Sequence, residues 1–190
     1  VSRRLLICVP ILHTETDLGS LAPQVRAQAQ AQAGVATAWE QRQATIAAFW
    51  KGVASWAARL PKNLSRYRIY QDALPVCGSE HAIVQELSDK GSANHRIVLD
   101  LLSRGAQLEG TESPELLVEE YRLAQASLKQ GASDHDAARK LLVARDSYIA
   151  ARIVETLKQG ETGVLFIGML HDVLSHLPPS FDIQKVTRPS

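Results

Sequence analysis

The chain has 190 residues, 45% of them apolar and 22% charged, with a formal net charge of +1. Those values predict one globular domain spanning residues 1–190, large enough to bury a core without disulfide staples. Lys and Arg are dispersed and no run approaches the ~20 apolar residues of a membrane span, so neither a nucleic-acid nor a membrane partner is expected.

Leu5-Leu6-Ile7-Cys8-Val9-Pro10-Ile11-Leu12 is a short apolar run with branched residues, as in a strand buried on both faces of a parallel sheet. It follows Arg3-Arg4 but breaks at Pro10 with no small-residue cleavage site beyond, so it reads as a strand rather than a secretory signal. A polar loop from His13 to Ser20 leads to an Ala/Gln-rich helix from about Leu21 to Ala33, interrupted by Gly34. A longer helix runs from about Val35 to Leu60 and ends at Pro61. Its Trp39, Gln43, Ile46, Trp50, Val53 and Ala57 recur at helical spacing, with Phe49 and Trp56 beside them. Such a stripe is core or an oligomer contact.

Tyr67 to Gln71 has the aromatic and β-branched content of a second strand. Ser79 is the expected cap of a helix from Glu80 to Lys90, and Ser92 that of a helix running to Arg104. Ala106 to Glu109 is a third strand. Ser113-Pro114 opens a helix to about Leu128, and Ser133 with Asp136 opens another that stops at Gly160. Gly163 to Ile167 is a fourth strand, Leu170 to His176 a short helix, and Phe181 to Val186 a last strand beyond Pro178-Pro179. Strands alternating with helices predict an α/β fold with a mainly parallel central sheet flanked by helices.

In such a sheet the residues after each strand share the carboxyl edge, where open α/β sheets bind ligands. His13, Glu15 and Asp17 follow the first strand, Asp72 the second, Glu109 and Glu112 the third, and His171 the fourth. Imidazoles and carboxylates gathered there can hold a divalent metal and activate water, or work as acid and base without one. His13 and His171 end two similar apolar runs, one at each end of the chain, and are the candidate metal ligands. Arg145 and Asp146 lie on or beside the apolar face formed by Leu142, Ile149, Ile153 and Leu157, where a charged pair needs partners. Arg145 is therefore a candidate to bind a substrate anion, to clamp a catalytic carboxylate or to form a structural salt bridge. Catalytic candidates are His13, Glu15, Arg145, Asp146 and His171; Asp17, Asp72, Glu109 and Glu112 are candidates to contact substrate. His81, His95, His135 and His176 read as surface residues. Cys8 and Cys77 read as buried reduced thiols, which suits a cytoplasmic protein.

Gly168-Met169-Leu170-His171, preceded by Arg145-Asp146 on a long helix and followed by one last strand, resembles a superfamily. Its members include the TraB and Tiki proteins, the erythromycin esterases and the ChaN haem-binding lipoproteins. The hallmark of that group is a pair of Gly-x-x-His motifs, each following a strand. Here the second motif is complete. His13 takes the place of the first, with Pro10 where the glycine would stand. The resemblance also implies a carboxylate after an intermediate strand, for which Asp72, Glu109 and Glu112 are the candidates. It spans roughly Arg145 to Val186 by motif and the middle of the chain by layout.

Group members include divalent-metal proteases, esterases and haem binders, so the resemblance implies a site rather than a substrate. The leading expectation is a hydrolase acting on a small-molecule or peptide substrate, with manganese, cobalt or zinc as the possible metal. Its competitors are a non-catalytic module that captures haem or a small anion, and a homo-oligomeric interaction protein that buries its tryptophan helix.

Overall fold

A computed structural model gives the fold of residues 4–12, 36–130 and 134–186. The described chain runs β1 (Arg4–Ile11), α1 (Ala36–Ala58), β2 (Tyr67–Gln71), α2 (Glu80–Asp89), α3 (Ala93–Ser103) and β3 (Gln107–Glu109). It continues with α4 (Pro114–Gln130), α5 (His135–Thr156), β4 (Thr162–Gly168), a short 3-10 helix (Val173–His176) and β5 (Phe181–Lys185). The predicted Ala/Gln helix from about Leu21 to Ala33 lies outside the described residues.

All five strands are parallel, in the order β3-β2-β4-β1-β5. The alternation seen in the sequence is therefore an α/β fold. β1 and β4 are central and read as near-continuous apolar runs because both of their faces are covered. On one face Ile7, Val9, Ile11, Val164 and Phe166 meet Ile46, Trp50, Val53 and Ala57 of α1 and Ile97, Val98 and Leu101 of α3. On the other face Leu6, Cys8, Tyr70 and Leu165 meet Ile149, Ala150 and Ile153 of α5 and Val173 of the 3-10 helix. Ile46, Trp50, Val53 and Ala57 of the predicted stripe are thus core. Trp50 is 3% exposed and Trp56 packs at its margin.

This topology positions the site. From β1 the chain crosses β4 to reach β2, then continues outward to β3. It returns to the centre as β4 and crosses β1 to reach β5. The helices α1, α2 and α3, which follow β1 and β2, pack on one face of the sheet, and α5 and the 3-10 helix, which follow β3 and β4, pack on the other. Neighbouring strands whose exits part to opposite faces leave a crevice beyond their carboxyl ends. Here it opens on both sides of β4.

Pro10 fits its central strand for a simple reason. Cys8 faces β5, since its carbonyl accepts from the Val186 N–H at 2.9 Å. Two residues on, Pro10 faces the same side, past the last β5 rung at Lys185, so its missing N–H breaks no ladder.

Several local expectations are corrected. Ser79 makes no side-chain cap. Instead, the Glu80 carboxylate accepts from the Cys77 and Gly78 N–H groups at 2.8 and 2.9 Å. The cap of α5 is Asp134, whose side chain accepts from the Ala137 N–H at 3.0 Å; Ser133 lies outside the described residues. His95 is buried rather than on the surface, its Nδ1 2.8 Å from the Oγ of Ser92, the residue that caps α3. Cys77 is exposed, and only Cys8 of the two thiols is buried. His81, His135 and His176 are exposed, as expected. No helix among the described residues is long and apolar enough to cross a membrane.

Candidate functional site

Asp72 is the first residue beyond β2. Its N–H continues the ladder to β4 by donating to the Phe166 carbonyl at 2.9 Å, which holds the carboxylate at the crevice. Oδ2 accepts from the Gly168 N–H at 2.9 Å, and Oδ1 accepts from Arg145 Nη2 at 3.0 Å. The last residue of β4 therefore receives the side chain that follows β2.

Glu112 arrives from the other side, on the loop after β3. Leu74 O accepts both the Thr111 and the Glu112 N–H, at 2.9 and 3.0 Å, and Thr111 Oγ1 accepts from the Gln71 N–H at 2.9 Å. Gly110 permits this packing. A Cβ there would stand 2.8 Å from the Val76 Cα and 3.1 Å from the Pro75 carbonyl oxygen, both of them backbone. Ala73 adopts φ 60°, a left-handed conformation rare without glycine, and its N–H donates to Glu112 Oε1 at 2.9 Å. The strained residue thus lies between the two carboxylates.

Arg145, on α5, binds these groups together. Its Nε donates to Glu112 Oε2 at 2.6 Å and its Nη2 to Glu112 Oε1 at 2.6 Å, a bidentate fork that also reaches Asp72. Its Nη1 pairs with Glu120 of α4. Its guanidinium thus pairs with three protein carboxylates. The next residue, Asp146, serves the histidine. Its Oδ1 is 2.5 Å from His171 Nδ1, and its Oδ2 accepts from the Asp172 N–H at 2.9 Å. The other ring nitrogen, Nε2, is left facing Asp72 Oδ1 at 3.5 Å.

The charges are unbalanced. Among the described residues, the side-chain cations paired with Asp72, Glu112, Asp146 and the half-exposed Glu120 are Arg145 and His171. Burial by itself would raise the Asp72 carboxyl, but the His171 hydrogen bond and charge, with Arg145 behind them, hold it well below the usual carboxylate range. Glu112 goes the other way. Its burial, reinforced by the negative charge of Asp72, outweighs Arg145 and raises its proton affinity. Burial would lower the His171 imidazole, yet Asp72 and Asp146 push it up to about 9. Burial likewise opposes the charge on Arg145, and its carboxylate partners more than offset it.

Asp72, Glu112 and His171 each offer a ligand atom, all within 4.8 Å of one another, and so form a group that could hold a metal ion. The donors suit a divalent ion. Two ligand atoms ~2.1 Å from a tetrahedral ion stand ~3.4 Å apart, close to the separation of 3.5 Å between Asp72 Oδ1 and His171 Nε2. The Asp146–His171 contact is the carboxylate–histidine pairing that fixes the ring of a metal ligand. A divalent ion would also reduce the excess of negative charge.

The group lies against a cavity of about 850 Å³. Asp72, Arg145 and His171 line it, with Leu12 beyond β1, Arg42, Thr45 and Ile46 of α1 and Leu142 of α5 around them. Trp50 secures the β1 side by donating its Nε1–H to the Leu12 carbonyl at 3.0 Å.

Of the residues singled out in the sequence, the structure brings together Asp72, Glu112, Arg145, Asp146 and His171. Glu109 is not among them; Arg68 engages its carboxylate, and Arg152 lies 3.8 Å away. His13, Glu15 and Asp17 lie outside the described residues, although Leu12 before them reaches the cavity. Glu120, the Gly168 N–H and the Ala73 turn escaped the sequence reading. A glutamate in an acidic run on a helix looks like a solvated face, and neither backbone feature carries a side-chain signal.

No model of a known protein family matches the chain, and no curated protein or solved structure matches it either.

Proposed function

We propose that the cavity is the active site of a divalent-metal-dependent hydrolase acting on a neutral ester or amide. The observation that carries this reading is His171. Its Nδ1 is fixed by Asp146, and its Nε2 faces Asp72 at the spacing of two ligands on one ion. Zinc, manganese or cobalt would be held by Asp72, Glu112 and His171 and would supply a Lewis acid and an activated water.

The residues around that group have separable roles. Asp146 selects the ring orientation and accepts the Nδ1 proton, so Nε2 is free to ligate. Arg145 fixes the Glu112 and Asp72 carboxylates in one geometry and offsets part of their repulsion. Its N–H groups are already used on protein carboxylates, so it is poorly placed to bind a substrate anion. That favours a neutral scissile group beside Arg145. Leu12, Ile46 and Leu142 exclude water from the walls. The kinship with the TraB, Tiki, erythromycin esterase and ChaN group belongs to the same proposal, supported by the tasks that fall to His171 and to Arg145-Asp146. His13, two residues beyond β1, is the proposed second histidine.

The test is metal content by plasma mass spectrometry after incubation with zinc, manganese or cobalt, paired with a screen of neutral esters and peptide amides. The expected result is near-stoichiometric metal and hydrolysis in the parent. Both should be lost in His171→Ala and Asp72→Asn while the circular dichroism spectrum stays native. Undiminished metal and turnover in both variants would overturn the proposal.

A further inference from the structure

A second cavity, of about 430 Å³, runs between α4 and α5. Its walls are mostly apolar or small, with Leu123, Ala124 and Ser127 on α4 facing Ala138, Leu141 and Leu142 on α5, and Asp134 and Arg139 line it too. Glu120, Leu142 and Leu170 line this groove and the site cavity alike, so the two adjoin. At the junction, Met169 is 73% exposed and Leu170 is 84% exposed, in the turn that delivers His171. Among the described residues, neither of these two large apolar side chains beside His171 enters the core. A ligand lying across them would remove both from water.

Resting on the hydrolase reading above, we propose that the groove is the subsite for an apolar arm of the substrate. The substrate is then amphipathic. Its neutral ester or amide lies at His171, and an unbranched or lightly branched hydrocarbon arm crosses Leu170 into the space between α4 and α5. Both cavities fall in the size range of sites for small organic ligands, which run from about 300 to about 1,000 Å³. A free acid beside His171 is disfavoured by the carboxylates around Arg145, and Leu123, Leu141 and Leu142 offer the arm apolar wall within the groove.

The test measures binding separately from turnover. Titration calorimetry with butanamide, hexanamide and octanamide, which present an uncharged head and a graded arm, reads the subsite directly. Each buried methylene tightens binding roughly fourfold, so octanamide, with four more methylenes, is expected to bind the parent roughly 250-fold more tightly than butanamide. Ala138→Trp fills the groove from the exposed side of α5, and Ser127→Trp fills it from α4. Each should abolish the chain-length dependence, with an unchanged urea midpoint showing that the fold persists. A flat chain-length series in the parent overturns the proposal, as does a steep one that survives both substitutions. A parent dimer by light scattering that both substitutions dissociate would make the groove a contact between two copies and equally overturn it. Steep chain-length binding without hydrolysis of the matching esters would uphold the groove as a ligand subsite and remove the hydrolase reading.

Discussion

Replacing Arg145 with methionine removes the guanidinium while keeping an unbranched side chain of similar reach. The substitution leaves Glu112, which is fully buried, and Asp72, at 7% exposure, without their shared cation. Removing one partner of a buried pair typically costs about 3–5 kcal/mol, because the remaining charge stays buried and uncompensated. The cost stops well short of the tens of kcal/mol of an isolated buried ion, because Glu112, whose proton affinity burial already raises, takes up a proton. We therefore expect a loss of about 3–5 kcal/mol at pH 7, which with a urea slope of about 2 kcal/mol/M lowers the midpoint by about 1.5–2.5 M. In the variant the folded-state affinity of Glu112 for protons exceeds its unfolded value. Its contribution is then largest at low pH and is lost as pH rises, so the deficit should narrow between pH 7 and pH 5. Adding Glu112→Gln to the variant should cost much less than Glu112→Gln in the parent, giving a coupling of at least about 2 kcal/mol in the double-mutant cycle. A loss below about 1 kcal/mol, or no coupling, would refute the clamp and return Arg145 to the role of a substrate ligand.

Four further outcomes are expected. In metal-free protein His171 titrates at about 9 when folded, against 6.5 for the free imidazole, so its stabilisation is complete below pH 6.5 and is lost as pH rises through 9. Urea midpoints across that window should fall in the parent by an amount worth up to about 3 kcal/mol and stay level in His171→Gln, since a tenfold change in proton affinity is worth about 1.4 kcal/mol. Asp146→Asn should weaken metal binding by roughly 10–100-fold in calorimetry, the usual effect of removing the group that orients a ligand histidine; unchanged affinity would exclude that role. Ala73→Gly should be neutral or stabilising by up to about 1 kcal/mol, where an ordinary alanine-to-glycine change is destabilising, while Ala73→Val should cost more than about 1 kcal/mol. Ellman's reagent should titrate one thiol in the native protein, Cys77, because Cys8 is buried and its thiol is pushed up to about 11; two fast thiols would contradict the buried strand face.

The strand order was beyond the sequence, yet its consequence was not. Parallel strands send their following residues to one edge whatever their order, so Asp72, Glu112 and His171 were recognisable as neighbours from position alone. Which carboxylate enters the group depended on loop packing. Glu109 and Glu112 follow the same short strand, but Gly110 allows the loop to fold against Pro75 and Val76 and carries Glu112 inward, while Arg68 of β2 engages Glu109. A single sequence contains both outcomes. His95 was misjudged because a histidine in the first turn of a helix is typically solvated; here the face that carries Ile97, Val98 and Leu101 into the core buries it too. Cys77 was misjudged for the converse reason: apolar neighbours suggested burial, but it lies at a bend before Gly78, whose φ is +79°, and is exposed.

The Arg145-Asp146 pair shows why adjacency on a helix matters here. Successive helical residues point about 100° apart, so neighbours rarely serve one site. α5 lies over the sheet so that this divergence is useful. Arg145 reaches the residues beyond β2 and β3, and Asp146 reaches the loop beyond β4. One helix thus ties together three strand ends whose own connections carry them apart, with two side chains that are both buried. Exchanging the two, as Arg145→Asp with Asp146→Arg, preserves composition and net charge but aims each group at the wrong loop. The swap should lose the Arg145 clamp and the His171 orientation together, and neither Glu112→Gln nor a lower pH should restore it. Lowering the pH narrows the deficit of Arg145→Met because a carboxyl there lacks only its cation. In the swapped protein a carboxylate meets the carboxylates of Asp72 and Glu112, and a guanidinium meets an imidazolium, so protonating one carboxyl leaves a cation against His171.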